Sequence, residues 1–318
     1  MEQTGISIIP TTTIADNAAG KPKSIGITLR PGDSLQAAKE KLKTPWLTNL
    51  VKEDATGWEA LLFGLGEIIG TALLVFIGCT GCIASLNVTP TVLQISLTFG
   101  FAVMVAIQCT GHISDAHINP SITIAAMILG KKSLPMSLLY ICCQCVGALL
   151  GYGLLKVITP GPLTYAVKDE TETFCVTRIH PELSVFRAFM AEFIGTAILV
   201  LFACGVWDNR NAKNTDSISL RFGFCIAVLC MILIPYTGCS MNPARSLSPA
   251  IWNGSWEHHW IYCVQNRIPV VHSEREILIV SQQLETRGSA TGTSRLYIIY
   301  FYKVTRRLFL KKFEEAGS

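Results

Sequence analysis

Charged side chains are scarce in this chain: Lys, Arg, Asp and Glu make up 15% of its 318 residues, against roughly 25% in an ordinary soluble domain. That deficit excludes a surface solvated on all sides, and a mean hydropathy of +0.42 points to a chain that meets lipid. Several chemistries are missing as well. No nucleophile sits beside a base, and there is no phosphate-cradling glycine loop or cofactor motif, so neither an enzyme nor a cofactor is expected. The histidines have no third ligand at a metal-binding spacing, so no metal site is expected. A cleavable leader is not expected either, because the first apolar stretch of any length begins near Trp58. The net charge of +4 is carried at the two ends, which suits cytoplasmic flanks of a membrane protein and not a nucleic-acid partner. Cysteine, in contrast, is plentiful. Ten of the twelve, Cys79, Cys109, Cys142, Cys230 and Cys239 among them, lie in or beside apolar runs and read as small buried hydrophobes.

Five runs, 58–78, 91–109, 134–158, 186–206 and 218–236, are about 20 residues long, enough to cross a hydrocarbon core of roughly 30 Å. Residues 1–57 mix Pro, Gly, Ser, Thr and Lys without a sustained apolar period and are expected to form a disordered cytoplasmic tail. Loop charges agree with a cytoplasmic N-terminus. The loop near Asn87 lacks Lys and Arg, whereas Lys131, Lys132, Arg210 and Lys213 fall on the opposite side. Asn87-Val88-Thr89 and Asn253-Gly254-Ser255 are glycosylation sequons on the expected outer side.

Two further segments organise the rest. GHISDAHINPSITIAAMILG at 111–130 and CSMNPARSLSPAIW at 239–252 each pass through a polar turn to Asn-Pro and then into helix-forming sequence. Proline just inside a polar cap is a helix start. The spacing predicts half-helices over 120–130 and 243–253, each ~15 Å long at about 1.5 Å per residue, too short to span. EIIGTALLV at 67–75 returns as EFIGTAILV at 192–200, and Asn119-Pro120 returns as Asn242-Pro243. The offsets of 125 and 123 residues mark a duplicated unit.

Over 58–262, with GHISDAHINP and YTGCSMNPARS as its specific motifs, the chain resembles the aquaporin (major intrinsic protein) family. The resemblance implies an all-α membrane protein: an aquaporin-like inverted repeat with two re-entrant half-helices. The first repeat is 58–158, the outer connecting loop 159–185 and the second repeat 186–262. It also implies a homotetrameric channel, expected in the plasma membrane, that passes water and small neutral solutes such as glycerol or urea and excludes ions. The pore motifs would be Asn119, Pro120 and Ser121 with Asn242, Pro243 and Ala244. The selectivity constriction would be Phe99, Cys230, Cys239 and Arg245, with His117 lining the inner pore. Cys230 stands where water-selective members hold histidine, which resembles the insect glycerol-permeable branch, while Ser246 and Ala250 match water-type members. Ser121 replaces the family's Ala, and Asp115 replaces a Gly, where a carboxylate could narrow the inner mouth or attract cations and positive φ would strain it.

Other roles follow from the residues themselves. Arg245 is the one charge in the second half-helix, and an arginine inside the membrane is costly enough to be functional by default. Glu67 and Glu192 lie too deep for a short carboxylate to reach water, so each is expected to accept N–H groups of the neighbouring re-entrant loop. His112 reads as a packed or hydrogen-bonded loop residue. After Tyr262 charges interrupt the sequence every few residues, and 263–318 reads as a non-family segment with a basic end that replaces or disrupts the sixth span. Two alternatives follow: a non-conducting or dominant-negative splice form, and a membrane adhesion or junction protein of the same fold.

Overall fold

The computed structural model describes residues 55–83, 88–160 and 174–264, all within one unit of the chain, Asn49–Glu274. Most of the expected N-terminal tail, Asn87, much of the outer loop and the segment from 265 onward lie outside the described residues.

Short polar residues set the helix starts. Helix α1, Gly57–Thr80, opens on a capping box in which the Glu59 N–H donates to Thr56 Oγ1 at 3.3 Å and the Thr56 N–H to Glu59 Oε2 at 2.8 Å. Thr91 caps α2, Val92–Ser114; Ser133 caps α4, Leu134–Ile158; and Ser184 caps α5, Val185–Val206. Helix α6, Ile218–Thr237, ends on Gly238 in the left-handed conformation, φ 77°. Among the described residues these five helices are long and apolar enough to cross a membrane. Large apolar side chains such as Leu65, Leu150 and Val228 point outward, the surface expected where lipid is the solvent.

Helix α1 packs against α2 and α4, α2 against α6, and α5 against α6. The closest approaches fall on glycine. A Cβ on Gly151 would lie 2.3 Å from the Ala72 carbonyl oxygen, and one on Gly100 would lie 2.5 Å from that of Gly223. Lipid gives apolar side chains no preference for each other, so backbone-to-backbone contact across small residues holds such helices together.

Two short helices enter this frame: α3, Pro120–Ile128, and α7, Pro243–Asn253. The first ends before the expected Gly130, because Leu129 caps it and Gly130 adopts φ 69°. Helix α2 runs beyond the expected Cys109 to Ser114, where Asp115 at φ 63° closes it through its N–H to the Gly111 carbonyl at 3.1 Å. In the first repeat α4 closes against α1. The second repeat begins the same closure with α8, Trp260–Val264, whose Ile261 and Tyr262 are buried beside Ala188 of α5.

The cysteines correct the sequence reading at several points. Cys79 is not a free thiol packed as a hydrophobe; it is bonded to Cys175. Cys109 and Cys142 are exposed on the outside of the helices, whereas Cys230 and Cys239 are buried. An apolar run specifies depth in the bilayer but not which way a given residue faces.

Candidate functional site

The two Asn-Pro turns hold one another. Asn119 Nδ2 donates to the Met241 carbonyl at 2.9 Å, and Asn242 Nδ2 donates to the Ile118 carbonyl at 2.8 Å. The side-chain oxygens face their own helices. Asn119 Oδ1 accepts the Ser121 N–H at 2.8 Å, and Asn242 Oδ1 accepts those of Ala244 and Arg245 at 3.1 and 3.2 Å. Each asparagine therefore caps its half-helix with its oxygen and clasps the opposite loop with its nitrogen. Pro120 and Pro243 fill first helical positions that have no N–H to satisfy. A primary amide carries two N–H groups, so each asparagine keeps one donor beyond the clasp, and both line the central cavity. Two helix N-termini, each worth about +0.5 of a charge, converge on the same point.

Two buried carboxylates support these loops in matching ways. Glu67 accepts the N–H groups of His117 at 2.9 Å and Ile118 at 2.7 Å, with Ser114 Oγ at 2.8 Å and Gln144 Nε2 at 2.7 Å. Glu192 accepts those of Ser240 at 2.9 Å and Met241 at 3.1 Å, with the Thr237 hydroxyl as a further donor. Tyr140 donates to the Ser114 carbonyl at 3.0 Å, and Tyr262 to the Thr237 carbonyl at 3.3 Å. These contacts stabilise a costly backbone. Asp115, Ala116, Ile118, Cys239 and Met241 all have φ between 45° and 63°, a region that costs a non-glycine residue roughly 1–3 kcal/mol.

A cavity of about 690 Å³ runs from Lys131 and Asp216 at one end, past both asparagines, to Phe99 and Arg245. Four side chains gather near the Arg245 end. The Arg245 guanidinium carbon lies 4.8 Å from the centroid of the Phe99 ring, and the Cys230 and Cys239 sulfurs are 3.5 Å apart. Arg245 is 5% exposed. Its Nη1 donates to the Cys175 carbonyl at 2.7 Å, and among the described residues it forms no ion pair. The cavity is thus lined by a fixed positive charge from Arg245 and by amide donors with two positive helix ends.

A family model described as Major intrinsic protein matches residues 54–271, more than half of the chain and slightly beyond the 58–262 bounds read from the motifs. The chain belongs to the major intrinsic protein family. Aquaporin-4 from Mus musculus is 37% identical over 211 residues, which cover 65% of this chain and 62% of that protein. Aquaporin-2 from Bos taurus is 36% identical over 200 residues, 63% of this chain and 71% of that one. The chain spans about half of human aquaporin-4, 50% of its length at 41% identity over 54% of this chain. The X-ray structure of the aquaglyceroporin from Plasmodium falciparum superposes with a TM-score of 0.59 at 23% identity, over 67% of this chain and 93% of that one, a likeness of fold. With five span-length helices among its described residues, this major intrinsic protein is a multi-pass membrane protein.

Other predicted residues fall elsewhere in the major intrinsic protein fold. His117 is buried, its Nδ1 lies 3.2 Å from Thr123 Oγ1, and it lines the cavity. His112 is exposed on the last turn of α2 and also lines the cavity, so the packed or hydrogen-bonded loop position expected for it is corrected. Asp115 pairs with Lys132 Nζ at 3.0 Å, which offsets the charge that would draw cations to that mouth. Asn253 is a poor glycosylation acceptor in this geometry. Its Nδ2 donates to Tyr152 Oη and to the Pro249 carbonyl, both at 2.8 Å, while its Oδ1 accepts from Lys156 Nζ at 3.0 Å. Sequence reasoning missed Ser114 with Thr237 and Tyr140 with Tyr262. Their spacings of 123 and 122 residues match the duplication, and that offset was the signal for them.

Proposed function

We propose that this chain is a channel for passive flow of water and of small neutral solutes such as glycerol or urea. The crossed clasp between Asn119 and Asn242, inside a cavity that also holds Arg245, carries this reading. Water exchanges hydrogen bonds with the amide donors, while a cation or a proton meets two helix N-termini and a guanidinium. Phe99, Cys230, Cys239 and Arg245 form the selectivity constriction in this reading, and His117 lines the cavity toward the other end.

Cys230 supports solutes larger than water. A small side chain there leaves more room than the histidine of water-selective members, as in the insect glycerol-permeable branch that the chain resembles. The protein is assigned to the plasma membrane as a homotetramer. Its N-terminus is placed in the cytoplasm because Lys131, Lys132, Arg210 and Lys213 share one side. The repeats are 58–158 and 186–262, joined by the outer loop 159–185, and within the C-terminal segment 263–318 residues 263–295 are of different origin and displace most of the sixth span, whose inner end is 296–302 with its basic stop.

Swelling of oocytes in hypotonic medium, and in isosmotic glycerol or urea, tests the reading. Added permeability to water and to at least one of these solutes is expected. Normal surface density without added permeability would instead favour a non-conducting form. That outcome has a basis in the sequence, where charges interrupt the chain every few residues after Tyr262 and leave no window long and apolar enough for a sixth span.

A further inference from the structure

Resting on that channel reading, we infer that the Cys79–Cys175 disulfide is a positioning element of the constriction, acting through the carbonyl that holds Arg245. Cys79 is wholly buried at the end of α1, and Cys175 lies in the connecting loop, 96 residues away. The Cys175 carbonyl is the acceptor for Arg245 Nη1, at 2.7 Å. Cys175 has φ 64°, a conformation that L side chains avoid. The bond therefore fastens a disfavoured residue whose carbonyl meets the guanidinium.

Other contacts hold the same loop. Tyr152 Oη donates to the Phe174 carbonyl at 2.9 Å, Thr177 Oγ1 donates to Ser246 Oγ at 3.2 Å, and the His180 N–H donates to the Tyr236 carbonyl at 2.9 Å. With these in place, breaking the disulfide leaves the loop docked but frees the residue whose carbonyl accepts from the guanidinium. The consequence is loss of discrimination, not loss of fold. Released from its acceptor, the guanidinium samples more of the constriction, so its effective width and charge placement vary.

The test compares the full-length wild type with Cys79→Ser/Cys175→Ser in oocytes, reading glycerol and water permeability per channel at the surface. Peptide mapping without reductant accompanies it. The expected result is a linked Cys79–Cys175 peptide in the wild type, and a glycerol-to-water ratio that shifts roughly three- to tenfold in the variant, the net scale of one typical hydrogen bond. If the variant fails to reach the surface, purified wild type reduced in detergent and reconstituted in vesicles should show the same shift against its oxidised form. Free thiols at both positions, or an unchanged ratio, overturns the inference while leaving the channel reading intact. A wild type that conducts neither water nor glycerol overturns both.

Discussion

The guanidinium of Arg245 lies over the ring of Phe99, 4.8 Å from its centroid, so a charge on α7 and an aromatic on α2 face each other across one end of the cavity. The ring gives the cation a partner that does not neutralise it. Arg245 therefore retains its charge toward anything that enters.

Arg245→Ala should make the channel leak ions. A unit charge about 4 Å from a second cation contributes about 4 kcal/mol of repulsion at an effective dielectric constant of ~20. Voltage-clamp currents carried by protons or sodium should rise by orders of magnitude, with water permeability within a few-fold of wild type. Absence of any current above background would show that the barrier to ions lies elsewhere, at the asparagines.

Cys230→His should separate the two solutes. An imidazole beside Cys239 narrows the passage and adds a donor. Glycerol flux is expected to fall roughly tenfold, equivalent to about 1.4 kcal/mol, while water flux changes far less. Equal losses of both would remove Cys230 from the account of selectivity.

Replacing either carboxylate support should destabilise the loops. In Glu67→Ala the N–H groups of His117 and Ile118 lose their acceptor, at a cost of about 1–3 kcal/mol for each buried group. The same holds for Glu192→Ala at Ser240 and Met241. Melting of the purified protein in detergent should occur at a clearly lower temperature, with reduced surface delivery. A melting curve that superposes on wild type would contradict the supporting role.

Gly151→Leu tests the contact between α1 and α4. The first added carbon would already lie 2.3 Å from the Ala72 carbonyl oxygen, and overpacking of a tight contact costs typically about 1–3 kcal/mol. Gly205→Ala is the control, because nothing lies within 4 Å of its added Cβ. Poor yield or early melting is expected for the first variant alone. Matching behaviour of the two would mean that α1 and α4 separate without cost.

Much of this protein could be read without coordinates, because its signals are local or repeated. Span length and hydropathy mark α1, α2, α4, α5 and α6, and Asn-Pro marks the starts of α3 and α7. The depth of Glu67 and Glu192 in apolar runs called for buried donors, and the adjacent loops provide them. The end of α2 was less legible. Apolar periodicity fades after Cys109, but the helix continues because Ser114 finds an acceptor in Glu67 across 47 residues.

The sequence alone determined the duplicated unit, the five lipid-length helices and the two half-helices, since caps, hydropathy and a repeat offset are properties of neighbouring residues or of plain self-similarity. Tertiary structure decided which carbonyl each asparagine clasps, that Asp115 meets Lys132, and that Cys79 and Cys175 are bonded while Arg245 leans on the latter's carbonyl. The physical reason is distance along the chain. The clasp joins groups more than 120 residues apart, and the backbone turns that aim those carbonyls have positive φ at residues such as Ile118 and Met241, which no local preference would choose.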